Sequence, residues 1–178
     1  IHGTNFRVGM IDGKLRCGSH RVIRTLDDGT IYSQILKNPI IKNCLEAVTD
    51  RQVILYGEIF GPEFQTFNYG IDLGNYGFRI FDVKINKVFL NYEDFIAFCE
   101  KYKLPTVPIL FVGKYDFNKI KSLADGKTTI EGGKHIREGV VVKPIVERMN
   151  CKIGRVILKY VSNAFLQGET LEGDNYDY

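Results

Sequence analysis

Short apolar runs of strand length carry single charges in their middles, and this limits the fold more than any other feature. Glu58 lies within "ILYGEIFG", Asp82 within "FRIFDV" and Lys159 within "RVILKYV". Glu138 and Lys143 flank the apolar "GVVV". A charge in such a run is rarely buried unless it is paired or turned into a cleft. Taken singly, each is explained equally well by an antiparallel sheet with one solvated face. Glu138 and Lys143 stand five apart, so a regular strand points them to opposite faces. A bulge, or a site at the strand's start, is needed to bring both to one pocket.

The elements between these runs alternate irregularly. Asp12-Gly13 separates "NFRVGMI" from "KLRC", a tight-hairpin signal. "SQILKNPIIKNCLEAVTD" has helical spacing, with Pro39 as a break or the start of a second helix. "QVILYGEIFG" reads as a buried strand, and "YGFRIFDVKINKVFL" as two strands around Asn86-Lys87. Asn91 and Asp94 open the helix "YEDFIAFCEKYK", which Pro105 ends. "PILFVG" reads as a strand, "DFNKIKSLAD" as a helix capped at Asp116, and "ADGKTTIEGGKHI" as a loop. "EGVVVKP" and "RVILKYV" are late strands. Without regular strand–helix alternation, the fold class is α+β with largely antiparallel sheets.

Composition narrows the function classes. The 178 residues suit one domain, and 44% hydrophobic with 25% charged residues is ordinary for a packed globular chain. No apolar stretch approaches the roughly 20 residues of a membrane span, and no signal-peptide pattern opens the chain. Cys17, Cys44, Cys99 and Cys151 lack zinc-site spacing, which points to free thiols in a reducing, intracellular compartment: the cytoplasm first, a nucleus or organelle also open. The last ten residues, "ETLEGDNYDY", hold four acids and no Lys or Arg; residues 1–168 therefore carry 24 basic and 17 acidic side chains, a charge of +7. That balance suits an anionic ligand or polynucleotide, and a solvated mixed surface equally. "EGGKH" fails as a phosphate loop, because Thr128 stands where a glycine is required and no Ser or Thr follows Lys134. His2, His20 and His135 are far apart, which makes a histidine metal cluster improbable.

Five segments in order carry more. "HGTNFRV", "LYGEIFG", "GFRIFDV", "REGVVVK" and "LKYVSNAFL" resemble the motifs of covalent nucleotidyltransferases, most closely the ATP-dependent RNA ligases of the RNA-ligase-2 type. The resemblance runs from residue 1 to about residue 166. Each motif is weak alone; the order and spacing of all five are specific. It implies a ligase adenylation fold, with flanking helices around an ATP cleft, over residues 1–168 and an acidic tail over 169–178. In this superfamily the first motif begins with a nucleophilic lysine two residues before an Asp-Gly, or a His-Gly in the RNA ligase branch. The other candidate pairs are Asp12-Gly13, Asp28-Gly29 and Asp125-Gly126, preceded at that spacing by Met10, Leu26 and Leu123. The lysine is therefore expected immediately before Ile1, with a lead-in segment upstream.

The resemblance further implies a three-step reaction: AMP passes from ATP to the lysine, then to an RNA 5′-phosphate, and leaves when a 3′-hydroxyl attacks. Lys143 and Lys159 would contact phosphates, and Glu58 and Glu138 the ribose and the water shell of Mg or Mn. Phe78 would stack on adenine, with main-chain groups near Ile1 reading the base. Arg21, or alternatively Arg24, would touch phosphate or ribose. Asn5 would hold ribose or the RNA end, and His2 would act in later steps at the phosphate. Ile157 stands where some relatives carry a second lysine, and Arg155 is the candidate to replace its charge. The competing readings are a DNA ligase core, a GTP-dependent mRNA-capping enzyme and a non-catalytic nucleic-acid-binding module of the same fold; His2 in place of Asp speaks against the first two.

Overall fold

The computed structural model describes residues 1–24, 26, 29–48 and 52–168. The acidic segment 169–178 and the last residues of the segment ending at Asp50 lie outside the described residues. Strand β1 (Thr4–Ile11) turns at Asp12 and Gly13, both at positive φ (51° and 68°), into β2 (Lys14–Gly18), followed by β3 (Ile23–Arg24). That geometry is the hairpin expected of Asp-Gly. Helices α1 (Ile31–Lys37) and α2 (Pro39–Glu46) meet at Asn38, whose Oδ1 accepts from the Ile40 N–H at 3.1 Å. Pro39 therefore begins a second helix, where its missing N–H costs nothing.

Strand β4 (Val53–Phe60) leads through a loop to β5 (Gly77–Ile85), and the Asn86-Lys87 turn to β6 (Val88–Phe89). Helices α3 (Tyr92–Lys101) and α4 (Phe117–Ala124) precede β7 (Gly139–Val142), β8 (Met149–Asn150), β9 (Gly154–Arg155), β10 (Leu158–Val161) and α5 (Asn163–Leu166). Asp116 caps α4 by accepting from the Lys119 N–H at 3.1 Å. Asn91 makes no such bond to α3; its Oδ1 accepts from the Glu147 N–H at 2.9 Å.

The strands form one six-stranded sheet, β3-β2-β1-β4-β5-β6, and two small sheets, β7 with β10 and β8 with β9. Every ladder among them is antiparallel. One face of the large sheet buries Phe6, Val8, Leu55, Ile59, Phe78, Ile80 and Val83 against Ile35, Ile41 and Leu45 of α1 and α2 and Phe95 of α3. The other face carries Asn5, Arg7, Tyr56 and Glu58, by the period-two alternation of β1 and β4.

Two expected strands differ. Residues 108–113 are not a strand; one parallel bridge, Thr106 to Ile80, is all that "PILFVG" and its lead-in contribute. Pro105 and Pro108 have no N–H to extend a ladder, and Ile109, Phe111 and Val112 stay exposed. "RVILKYV" is broken at Val156-Ile157, because Arg155 pairs with Met149 in β9 while Leu158 pairs with Val142 in β10.

Gly139 sets the approach of β7 to β10. Its φ is 155°, and a Cβ there would lie 2.1 Å from the Tyr160 carbonyl oxygen. Gly139→Ala is expected to destabilise the protein by at least about 2 kcal/mol in urea unfolding, with faster amide exchange at Val140–Val142 and Lys159–Val161.

Candidate active site

The segment entering β1 is pressed against the end of β4. A Cβ on Gly3 would sit 2.2 Å from the Ile59 carbonyl oxygen, so only glycine allows this approach. The loop after β4 grips the same segment. The Tyr69 hydroxyl accepts from the His2 N–H at 2.7 Å and donates to the His2 carbonyl at 3.2 Å. Gln65 Nε2 donates to the Gly3 carbonyl at 3.2 Å. Tyr69 is itself buried between the Phe60 and His135 rings, 4.7 and 4.4 Å away. The His2 ring packs on Phe67 at 5.1 Å and on Phe165 of α5 at 5.6 Å. Backbone and ring of His2 are thus both fixed.

Around this segment stand two carboxylates and a lysine. Asn5 pairs with Glu58 across β1 and β4, and Asn5 Nδ2 donates to Glu58 Oε2 at 2.5 Å. Glu138, just before β7, meets His2 Nδ1 through Oε2 at 2.9 Å and accepts from Lys159 Nζ through Oε1. The Ile1 main-chain nitrogen lies in the electrostatic field of Glu138, Glu58, Lys159 and Arg137. Burial pushes the Glu58 carboxyl up to about 7; the Glu138 charge adds to this, while the Ile1 nitrogen, the Gly3 main chain and Lys159 oppose it. Burial acts the same way on Glu138, but its contacts with Lys159 and His2 outweigh it and hold the carboxyl below its ordinary value. Two neighbouring carboxylates are thereby separated, one near half-protonation at neutral pH and one firmly anionic.

A second charged group lies further along the same face. A bulge opposite Tyr56 and Gly57 leaves Phe81 without a partner, since Tyr56 pairs with Asp82 and Gly57 with Ile80. The shift turns Asp82 onto the face of Tyr56. There Arg155 grips Asp82 through two bonds (2.6 and 2.8 Å) and Glu147 through two more (2.6 and 2.5 Å), with its guanidinium 3.6 Å from the Phe89 ring centroid. Lys143 Nζ donates to Asp82 and, at 3.2 Å, to the Phe81 carbonyl.

The RNA ligase family matches residues 1–161, nearly the whole chain. The chain belongs to the RNA ligase family. Among solved structures it is similar to Naegleria gruberi RNA ligase with PPi, with TM-score 0.77, 19% identity, and 94% of this chain and 49% of that one covered. A Glu-to-Ala mutant of that ligase with ATP and Mn gives TM-score 0.76 at 20% identity, covering 95% and 50%. Another, with AMP and Mn, gives 0.76 at 19%, covering 94% and 49%. At these identities the likeness establishes the fold, and the chain spans about half the length of the ligases it matches. No curated protein sequence matches it significantly.

Against this family's site, the expected residues divide. His2, Asn5, Glu58, Glu138 and Lys159 come together beside Ile1. Lys143 joins the Asp82 group, which resolves the five-residue spacing: Glu138 and Lys143 lie at opposite ends of β7 and serve different clusters. Arg155 is committed to Asp82 and Glu147 and does not replace the charge missing at Ile157. Phe78 pairs with Ile59, on the face opposite Glu58, and packs in the core edge-to-face with Phe6 at 6.2 Å. Its ring therefore belongs to the core. Arg21 and Arg24 are both exposed; Arg24 lies over the Tyr32 ring at 6.0 Å.

Sequence reasoning missed Tyr69, Gln65, Phe81 and Glu147. For Phe81 a signal existed: apolar residues occupy even positions at Phe78 and Ile80 and odd ones at Val83 and Ile85, which is the mark of a bulge. For Tyr69 none existed, because loop composition does not say what a loop touches. Among the described residues no helix is long and apolar enough to cross a membrane, and no group of three or more His, Cys, Asp or Glu could hold a metal.

The raised Glu58 value has a consequence for stability. Between its ordinary value of 4.5 and about 7, the folded state keeps a proton the unfolded chain has lost, so stability falls as pH rises through that window. Glu58→Gln removes the penalty. The variant is expected to gain about 1–2 kcal/mol on the parent between pH 5 and 7.5, read from urea midpoints.

Proposed function

We propose that this chain is the nucleotide-transfer core of an ATP-dependent RNA ligase, joining RNA 3′-hydroxyl and 5′-phosphate ends through lysyl-AMP and RNA-adenylate intermediates. The observation that carries the reading is the convergence of Glu58, Glu138, His2 and Lys159 on the main chain of Ile1, in a member of the RNA ligase family. The complexes of the Naegleria ligase with ATP and Mn, AMP and Mn, and PPi support it, since they hold the substrate and products of adenylyl transfer.

A lysine immediately before Ile1 would stand at the head of the gripped segment. A free lysine titrates near 10.4, so its amine must be deprotonated to attack phosphorus. At the neighbouring Ile1 nitrogen burial disfavours a positive charge most, Glu138 and Glu58 oppose this, and Lys159 and Arg137 add to it; a lysine amine held there would meet the same balance. Attack on the α-phosphorus forms the N–P bond and expels pyrophosphate. Lys159 meets the phosphate charge, exchanging Glu138 for it as the nucleotide enters. Glu58 and Asn5 face the ribose. Phe81, left outside the ladder by the bulge and half-buried, is the ring for the adenine in place of Phe78. Lys143 holds the bulge through Asp82 and the Phe81 carbonyl, with a third N–H left to meet a phosphate. His2, anchored to Glu138, is placed for the step at the RNA 5′-phosphate.

Glu58 and Glu138 suit a Mg or Mn ion held through its waters, since they share one field and such an ion keeps much of its water shell. Bound there, the ion would neutralise charge on the leaving pyrophosphate.

The full-length enzyme incubated with labelled ATP or GTP and Mg tests this. Label is expected from ATP alone, and Lys159→Ala is expected to lower the labelling rate about 100-fold or more. Label from GTP alone would replace the ligase by a capping enzyme, no label would leave a binding module, and sealing of nicked DNA in preference to RNA would indicate a DNA ligase.

A further inference from the structure

Beyond Asn5, the open face of β1 carries Arg7, on the same side and about 7 Å further along the strand. Arg7 pairs with Tyr56 of β4 as Asn5 pairs with Glu58. A concavity of about 120 Å³ opens here, lined by Asn5, Phe6, Arg7, His20 and Tyr56. It is well below the roughly 300 Å³ at which pockets take whole small molecules, so it suits a single group.

The polar side chains around it converge without using one another. Arg7 is half-buried, yet among the described residues it makes no hydrogen bond or ion pair. The other half-buried arginines among the described residues have acceptors: Arg155 has two carboxylates, Arg137 the Leu123 and Lys127 carbonyls, Arg79 the Phe78 carbonyl. An arginine whose stem is partly covered and whose guanidinium has no protein acceptor is available to take an anion. The nearby carboxylates are already taken, Glu58 by Asn5 and Asp82 by Lys143 and Arg155. Tyr56 has no hydrogen bond among the described residues, and His20 stands exposed at the rim.

We propose that this concavity binds a backbone phosphate of the RNA strand whose end lies at Asn5, with Arg7 as the principal ligand and Tyr56 and His20 as donors. The site rests on the RNA ligase reading. A nucleotide triphosphate tail is the other source of such a group. The strand is favoured because the concavity lies past Asn5 on β1, on the side away from His2, Glu138 and Lys159.

The experiment uses the full-length enzyme, a 5′-phosphorylated RNA and a salt series, with Arg7→Gln, Arg7→Lys and Tyr56→Phe. Arg7→Gln is expected to weaken RNA binding about tenfold and to lower the slope of log affinity against log salt by roughly one, while the ATP dependence of enzyme adenylation shifts less than about twofold. Arg7→Lys is expected to recover the slope, and Tyr56→Phe to weaken binding without changing it. Unchanged RNA affinity and slope in Arg7→Gln overturn the site while leaving the ligase reading intact. A raised ATP requirement with RNA binding unchanged also overturns it, by giving the concavity to the triphosphate. A parent enzyme that takes AMP but binds no RNA ends both.

Discussion

The Glu138 carboxylate joins the two halves of the site. One oxygen meets His2, at the entrance to the six-stranded sheet, and the other takes the lysine of β10 in the small sheet. Without that carboxylate, the positive Lys159 would face the His2 segment directly, and the Phe165 ring on His2 would be left to hold the two parts together. The contact is also what keeps Glu138 anionic despite burial, so structure and charge state are one property.

Glu58 shows the opposite balance. It is burdened by burial and by the charge of Glu138, and its direct side-chain partner is the neutral amide of Asn5. A neutral partner does little for a charged carboxylate, so its value rises to about 7. Two carboxylates of one chemistry thus take different protonation states because only Glu138 is hydrogen-bonded to a cationic side chain.

The cluster of Asp82, Lys143, Glu147 and Arg155 works differently. Its charges satisfy each other, and its bonds hold β5, the end of β7 and β9 together. Buried charges with complete partners fix geometry more than they add stability. Here they lock the bulge that sets Phe81 apart from Phe78 and aims Asp82 away from the core. Arg7, by contrast, is a charge without a hydrogen-bonded acceptor among the described residues.

The sequence by itself determined the α+β class, the Asp-Gly hairpin, the helix start at Pro39, the cap at Asp116 and the set of charges misplaced in apolar strands. These are local effects: turn chemistry, side-chain period and capping act over a few residues and can be read from them. Ordered motifs also marked His2, Asn5, Glu58, Glu138 and Lys159 as one group, because spacing along the chain is itself sequence. Only the tertiary structure decided that Lys143 and Arg155 serve Asp82, that Phe78 is core, and that Tyr69 grips His2. Those outcomes depend on a one-residue register shift in β5 and on contacts between segments up to 73 residues apart. A register shift reverses the facing of every later side chain, and a long-range partner leaves no mark at either position, so neither could be read before the chain was folded.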